Sequence, residues 1–237
     1  MRCLVRAAVG AALILSPMST HAQFFLVPPA RGAWGFAVAG QFARPIGEFG
    51  TVVDAAWGVA FSARRHLTRG PGLALRADLS FLNYGNESRR VPLSSTLNRV
   101  LVRMRTSNNI ALWTAGPELT MDAGPFAPYA HAFVGYSNFF TQSSAVSDHH
   151  EHELASTTNF RDGGLASGYG GGLRFPIRSH RALASIDIGG RMTSAGERTY
   201  LIRGDIHDQP DGSMTFTPRT SITDFWQFHV GVSVRSR

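Results

Sequence analysis

Six charged residues share a distinctive setting in this chain of 237. Arg64, Arg76, Asp78, Arg174, Asp187 and Arg191 each fall in a stretch where polar or small residues alternate with bulky apolar ones. In a β-strand that alternation separates two faces, so all six lie opposite the apolar set. Glu118 is a further candidate for the same group. Opposite charges gathered on a narrow shared face should pair, because an isolated charge there carries a heavy desolvation cost. Paired, they form a polar plug; the same pairs, if they part, line a path for ions.

A second cluster is Asp148-His149-His150-Glu151-His152-Glu153. His149, His150 and His152 are the metal-ligand candidates, since imidazoles and carboxylates together suit a divalent ion. The order lacks the i, i+4 spacing of a helical zinc site, and no strand pattern runs through it. A solvated loop is the simpler reading. Catalytic chemistry finds less support. No His-x-Ser falls on a strand, His229 and Ser233 stand four apart, and Asp148-His149 and His207-Asp208 lie outside the strand patterns. Without a held nucleophile–base pair no triad can be built. The chain is expected to be no enzyme and to carry no cofactor.

The elements that position these residues are eight two-residue alternations. Residues 33–43 set Trp34, Phe36, Val38 and Phe42 against Gly35, Ala37, Ala39 and Gln41. Residues 55–64 set Trp57, Val59 and Phe61 against Gly58, Ala60, Ser62 and Arg64. The third run opposes Leu73, Leu75, Ala77, Leu79 and Phe81 to Arg76, Asp78 and Ser80. In the fourth, about 109–121, Ile110, Leu112 and Thr114 oppose Ala111, Trp113 and Ala115, and neither set is plainly the apolar one. The fifth, 127–137, is equally mixed. The sixth opposes Tyr169, Gly171, Leu173 and Phe175 to Gly168, Gly170, Gly172 and Arg174; the seventh opposes Ala184, Ile186, Ile188 and Gly190 to Ser185, Asp187, Gly189 and Arg191. The last is the cleanest, with Trp226, Phe228, Val230, Val232 and Val234 against Gln227, His229, Gly231, Ser233 and Arg235.

The connections alternate in length. Short ones run 65–71, 122–126 and 176–181; long ones run about 44–54, 84–108, 138–164 and 194–223. Short turns on one side and longer loops on the other are the pattern of a transmembrane barrel. The expected fold is all-β: an eight-stranded antiparallel up-and-down transmembrane barrel. A ten-stranded version would use segments 200–206 and 213–217 as an extra hairpin. Inside so small a barrel there is room only for side chains, so Gly, Ala and Ser should dominate the inner face. Trp226, Phe228, Val230, Val232 and Val234 should face lipid. Trp34, Trp57, Phe81, Tyr136, Phe175 and Trp226 suit two interfacial girdles. A soluble lipocalin-like binder would want the inverse arrangement, apolar within and polar without.

Composition agrees. Charged residues are 16%, against roughly 25% in an average soluble protein, and 25 glycines exclude a coiled coil. Arg2 and Arg6, the apolar stretch Ala7–Leu15 and Thr20-His21-Ala22 read as a secretory signal cleaved before Gln23. The domains are then a signal peptide at 1–22 and a barrel at 23–237. Cys3, the single cysteine, falls in the signal, so disulfide and thiol chemistry are excluded from the mature chain. The +7 net charge is spread along the chain, whereas nucleic-acid binding wants basic residues clustered on one face. Anionic lipid or polysaccharide fits better.

With its leader, eight amphipathic strands, loop rhythm and segments such as Arg44-Pro45-Ile46-Gly47-Glu48-Phe49-Gly50 and Ala115-Gly116-Pro117-Glu118-Leu119, the mature segment resembles the small outer-membrane β-barrel proteins, the OmpA/OmpX-type and porin-like barrel domains. It departs from them at its last strand. Where that family ends on an aromatic residue, this chain runs from Val234 through Arg235-Ser236-Arg237. The resemblance implies export to the outer membrane of a Gram-negative-type bacterium and insertion by the outer-membrane insertion machinery. It also implies a monomer contacting outer-membrane lipid and lipopolysaccharide. The function expected is a membrane anchor displaying surface loops around a side-chain-plugged lumen. A small porin-like channel and a barrel enzyme acting on lipid or peptide are the alternatives.

Overall fold

The computed structural model describes residues 31–69, 72–92, 101–121, 125–146, 153–177, 183–208 and 214–236. The expected leader at 1–22 and the metal-ligand candidates His149, His150 and His152 lie outside them. The strands are β1 (Trp34–Ile46), β2 (Ala56–His66), β3 (Gly72–Pro92), β4 (Leu101–Thr120), β5 (Ala127–Val146), β6 (Glu153–Ile177), β7 (Leu183–Tyr200), β8 (Ile206–Asp208), β9 (Met214–Phe216) and β10 (Arg219–Arg235). β1 to β7 and β10 form one closed antiparallel barrel. Closure is made by β1 against β10, from Gly35 opposite Arg235 to Ile46 opposite Asp224. β8 and β9 pair only with each other. The extra hairpin therefore exists near the expected place but stays out of the wall, and the barrel has eight strands rather than ten.

Register fixes the tilt. Successive cross-strand neighbours from Phe36 run through Ala63, Ala77, Ala115, Val134, Ser167, Ser194 and Asp224. They return to β1 at Ile46, ten residues beyond the start. A stagger of that size in a small barrel goes with strands tilted roughly 35–45°. Bulky apolar side chains occupy the outer face on every strand. Val230 is 60% exposed, and Trp226, Phe228, Val232 and Val234 share its face. Trp34 and Trp57 are exposed at the starts of β1 and β2 and Phe175 is partly exposed near the end of β6, whereas Phe81, Tyr136 and Trp226 are exposed midway along β3, β5 and β10.

The strands overrun their expected ends. β3 continues through Pro92, β4 begins at Leu101, β5 reaches Val146 and β6 begins at Glu153. Most of the expected loops 84–108 and 138–164 is thus strand. Past the apolar belt both faces are polar, so the two-residue contrast disappears while the ladder persists. Polar side chains fasten it across the strands: Thr106 to Ser143 at 2.9 Å, Thr141 to Asn108 at 2.7 Å and Asn83 to Ser107 at 2.8 Å.

Candidate functional site

Inside the barrel, four guanidinium groups meet three carboxylates. Period-two alternation turns Arg64 of β2, Arg76 and Asp78 of β3, Arg174 of β6 and Asp187 and Arg191 of β7 inward, and all six are buried. Glu118 of β4 joins them and is the hub. Its carboxylate accepts hydrogen bonds from Arg174 Nη1 and Nη2 at 2.8 and 2.7 Å and from Arg76 Nη1 at 3.1 Å. Its side chain is 0% exposed.

The other two acids continue the network. Asp78 accepts from Arg76 Nε at 2.9 Å and from the Ser62 hydroxyl at 2.5 Å, with Arg191 Nη1 at 3.8 Å. Asp187 accepts from the Tyr129 hydroxyl at 2.8 Å and Arg174 Nε at 3.1 Å. His229 Nε2 stands 3.5 Å from Asp187 and Arg64 Nη1 stands 3.9 Å away. Arg191 donates to Gln227 Oε1 and to the Ser80 hydroxyl, both at 2.8 Å, and Gln227 Nε2 reaches Gln41 Oε1 of β1 at 3.4 Å. Every barrel strand contributes a side chain to this layer. Charge-assisted bonds of these lengths are the strong class.

An aromatic ladder on β5 fills the remaining width. Tyr129, His131 and Phe133 stack with centroids 6.0 and 5.8 Å apart. The Arg174 guanidinium lies 3.8 Å from the Tyr129 ring and that of Arg191 lies 5.1 Å from Phe133. Glycines of β6 and β7 make room for it. A Cβ on Gly172 or Gly189 would come within 2.7 Å of the Tyr129 hydroxyl, and one on Gly168 within 2.7 Å of the Phe133 ring.

A second layer closes the end that carries the long connections. There the β1–β2 connection folds into the barrel mouth. Gly47, at φ +62°, turns the chain into a 3-10 turn at Phe49–Thr51. Phe49 is 0% exposed, and its ring meets Tyr200, Tyr84 and Phe139 edge-on at 5.0, 5.9 and 5.9 Å. Leu82, Ile110, Leu112 and Phe225 belong to the same cluster, together with Val53 and the smaller Ala43, Ala56, Ala166 and Ala195. The expectation that Gly, Ala and Ser dominate the inner face fails in this layer. A loop residue enters from the open end, and large inward side chains close around it.

Sequence reasoning thus missed Phe49 and the Tyr129 ladder. One signal for the apolar layer was present: the fourth run was ambiguous because Ile110 and Leu112 are apolar and inward. Among the described residues no three His, Cys, Asp or Glu side chains gather as for a metal ion. His229 spends its Nε2 on the Tyr129 hydroxyl at 3.0 Å, beside Asp187.

The chain is a closed eight-stranded β-barrel with an apolar outer face and a filled lumen. No family model matches it, and no curated protein does. Among solved structures it is similar to Neisserial surface protein A (13% identity, 86% of this chain, 98% of that one, TM-score 0.46). It is similar to Ail, the attachment invasion locus protein of Yersinia pestis (11%, 87% and 100%, 0.47). A third is the outer membrane protein AlkL (13%, 94% and 96%, 0.39).

Proposed function

We propose that this protein is an outer-membrane anchor that holds the strand extensions above its apolar belt, and the connections they carry, at the cell surface around a closed lumen. The observation that carries this reading is the two-layer plug: a charge network touching all eight strands, capped by the Phe49 cluster. The apolar outer face supports residence in a bilayer, since a water-soluble barrel would not expose so continuous an apolar surface. Arg44, Arg105 and Arg161 are exposed at the long-connection end of the wall, where guanidinium groups suit lipopolysaccharide phosphates. A monomer, inserted by the outer-membrane machinery and independent of nucleic acid, completes the proposal.

Planar-bilayer recording of the purified protein tests it against a small porin-like channel. The expected record shows no steady conductance of porin size; such a conductance would overturn the anchor reading. The lipid face has its own test. Val230 sits mid-strand in the outward set of β10, so Val230→Arg should lower the stability of the refolded barrel in liposomes by about 2–4 kcal/mol. Ser233→Arg, turned to the lumen beside Arg64 Nη2 at 3.2 Å, replaces that contact with like-charge crowding instead. Its effect should therefore not depend on bilayer thickness, whereas that of Val230→Arg should. Small effects of both that ignore thickness would mean that β10 does not face lipid through Val230.

A further inference from the structure

The outward surface is not equally bulky all round. On the far wall Val232, Ile186 and Phe175 stand side by side on β10, β7 and β6. Across β1 to β5 the surface instead sinks into an open depression of about 590 Å³, lined by residues that include Phe36, Phe61, Leu79, Trp113 and Val134. Its floor is a single cross-strand row in which Ala63, Ala77 and Ala115 follow one another between Phe36 and Val134. Phe61, Leu79 and Trp113 form the wall on one side, and Arg65, Leu75 and Pro117 the row on the other. From Phe36 to Val134 is four strand spacings, about 19 Å.

The row climbs away from the end that carries the short turns. Ala63 stands three residues before β2 ends at His66, whereas Val134 stands seven residues into β5 from Ala127. At the low end, two residues from Ala63, Arg65 is exposed with its guanidinium 5.7 Å from the Trp34 ring. Its cross-strand neighbours are Trp34 and Leu75, so neither brings it a carboxylate. A cation at the membrane interface therefore stands two residues below the low end of an apolar trough that rises toward the bilayer centre.

We propose that this trough binds one phospholipid of the periplasmic leaflet, its phosphate on Arg65 and one acyl chain along Ala63, Ala77 and Ala115. The inference deepens the outer-membrane reading and rests on it. Phosphate and guanidinium match in charge and in paired hydrogen-bond geometry. The volume is in the general range of ligand pockets, ~300–1,000 Å³. The opening between the bounding rows is one side chain wide, which admits an acyl chain but not the strand wall of a second barrel.

Native mass spectrometry tests it on the full-length protein reconstituted in phosphatidylglycerol vesicles and released into mild detergent. The expected spectrum is a folded monomer retaining one phospholipid. Ala77→Phe and Ala115→Leu, which fill the trough, should each lower that retention at least several-fold. Arg65→Gln should do so too, with Arg65→Lys recovering part of it. Folding is followed independently by the heat-dependent shift of the barrel on gels. A folded wild-type barrel without bound lipid would overturn the site, as would unchanged retention in both Ala115→Leu and Arg65→Gln. A dimer that Ala77→Phe dissociates would overturn it in favour of a second copy. A chain that does not fold in vesicles at all contradicts the outer-membrane reading itself.

Discussion

Glu118→Ala is expected to destabilise the barrel by about 3–5 kcal/mol, the cost of removing one partner from a buried ion pair. Two guanidinium groups bond this carboxylate, Arg174 through two nitrogens and Arg76 through one. Without it, Asp187 is the one carboxylate left bonded to Arg174, through Nε, and Asp78 the one left to Arg76, which also keeps the Ser62 hydroxyl. Four buried arginines then face two acids. The expected order of severity follows from these partners. Asp78→Ala should cost less, because Arg76 retains Glu118 and Arg191 retains Gln227 and Ser80. The double variant Glu118→Leu with Arg174→Met should recover part of the loss, since replacing both members of a buried pair by apolar groups is far milder than orphaning one. Urea titration of the refolded protein in liposomes measures all three. A Glu118→Ala loss below about 1 kcal/mol would mean that water already screens the network as it does an exposed ion pair.

Which residues enter the lumen was legible because the β period is two and one face is bulky. Arg174 stands between Leu173 and Phe175, and Asp187 between Ile186 and Ile188; neither arrangement leaves a choice of face. Which charges pair was not legible. Arg174 meets Asp187 because the β6–β7 register sets them directly opposite. Glu118 stands opposite Ala74, and Arg76 reaches it from one inward position further along β3. A shift of two residues in either register would keep every face and change the pairs. The alternation cannot see such a shift. The role of Tyr129 depends on glycines of β6 and β7, strands with no local link to it in sequence, so its signal was dispersed in the same way.

Strand ends were read too early for a related reason. Burial contrast marks a strand only where one face meets an apolar medium. Beyond Phe81 on β3 the outward positions become Asn83 and, past the bulge at Asn83/Gly85, Asn86 and Ser88, and the pattern resembles a loop. Hydrogen bonding continues regardless, with Gly85 opposite Asn108 and on to Pro92 opposite Leu101. Composition therefore located the apolar belt, while the height of the wall above it depends on polar pairs that composition does not rank. The β8–β9 hairpin shows the converse. Its residues carry strand-like character, but the β7–β10 pairing already occupies the wall position that a ten-stranded barrel would give it.

Phe49→Ala is expected to cost about 3–5 kcal/mol, the range for truncating a buried phenylalanine. The side chain is fully enclosed, and Tyr84, Phe139, Tyr200 and Phe225 all present rings to it. Those partners are held by β3, β5, β7 and β10, so the wall cannot collapse inward to fill the space. Relief should therefore be small and the cost near the upper end. Phe49→Leu keeps most of the apolar volume and should cost roughly half as much by the same transfer-plus-cavity logic. The two layers are separable in function. Phe49→Ala opens only the capping layer, because Glu118, Arg76, Arg174 and Asp187 remain bonded beneath it. Planar-bilayer current should accordingly stay at baseline in Phe49→Ala and rise only when Glu118→Ala is added. A steady current from Phe49→Ala alone would mean that the Phe49 cluster, not the charge network, is what closes the lumen.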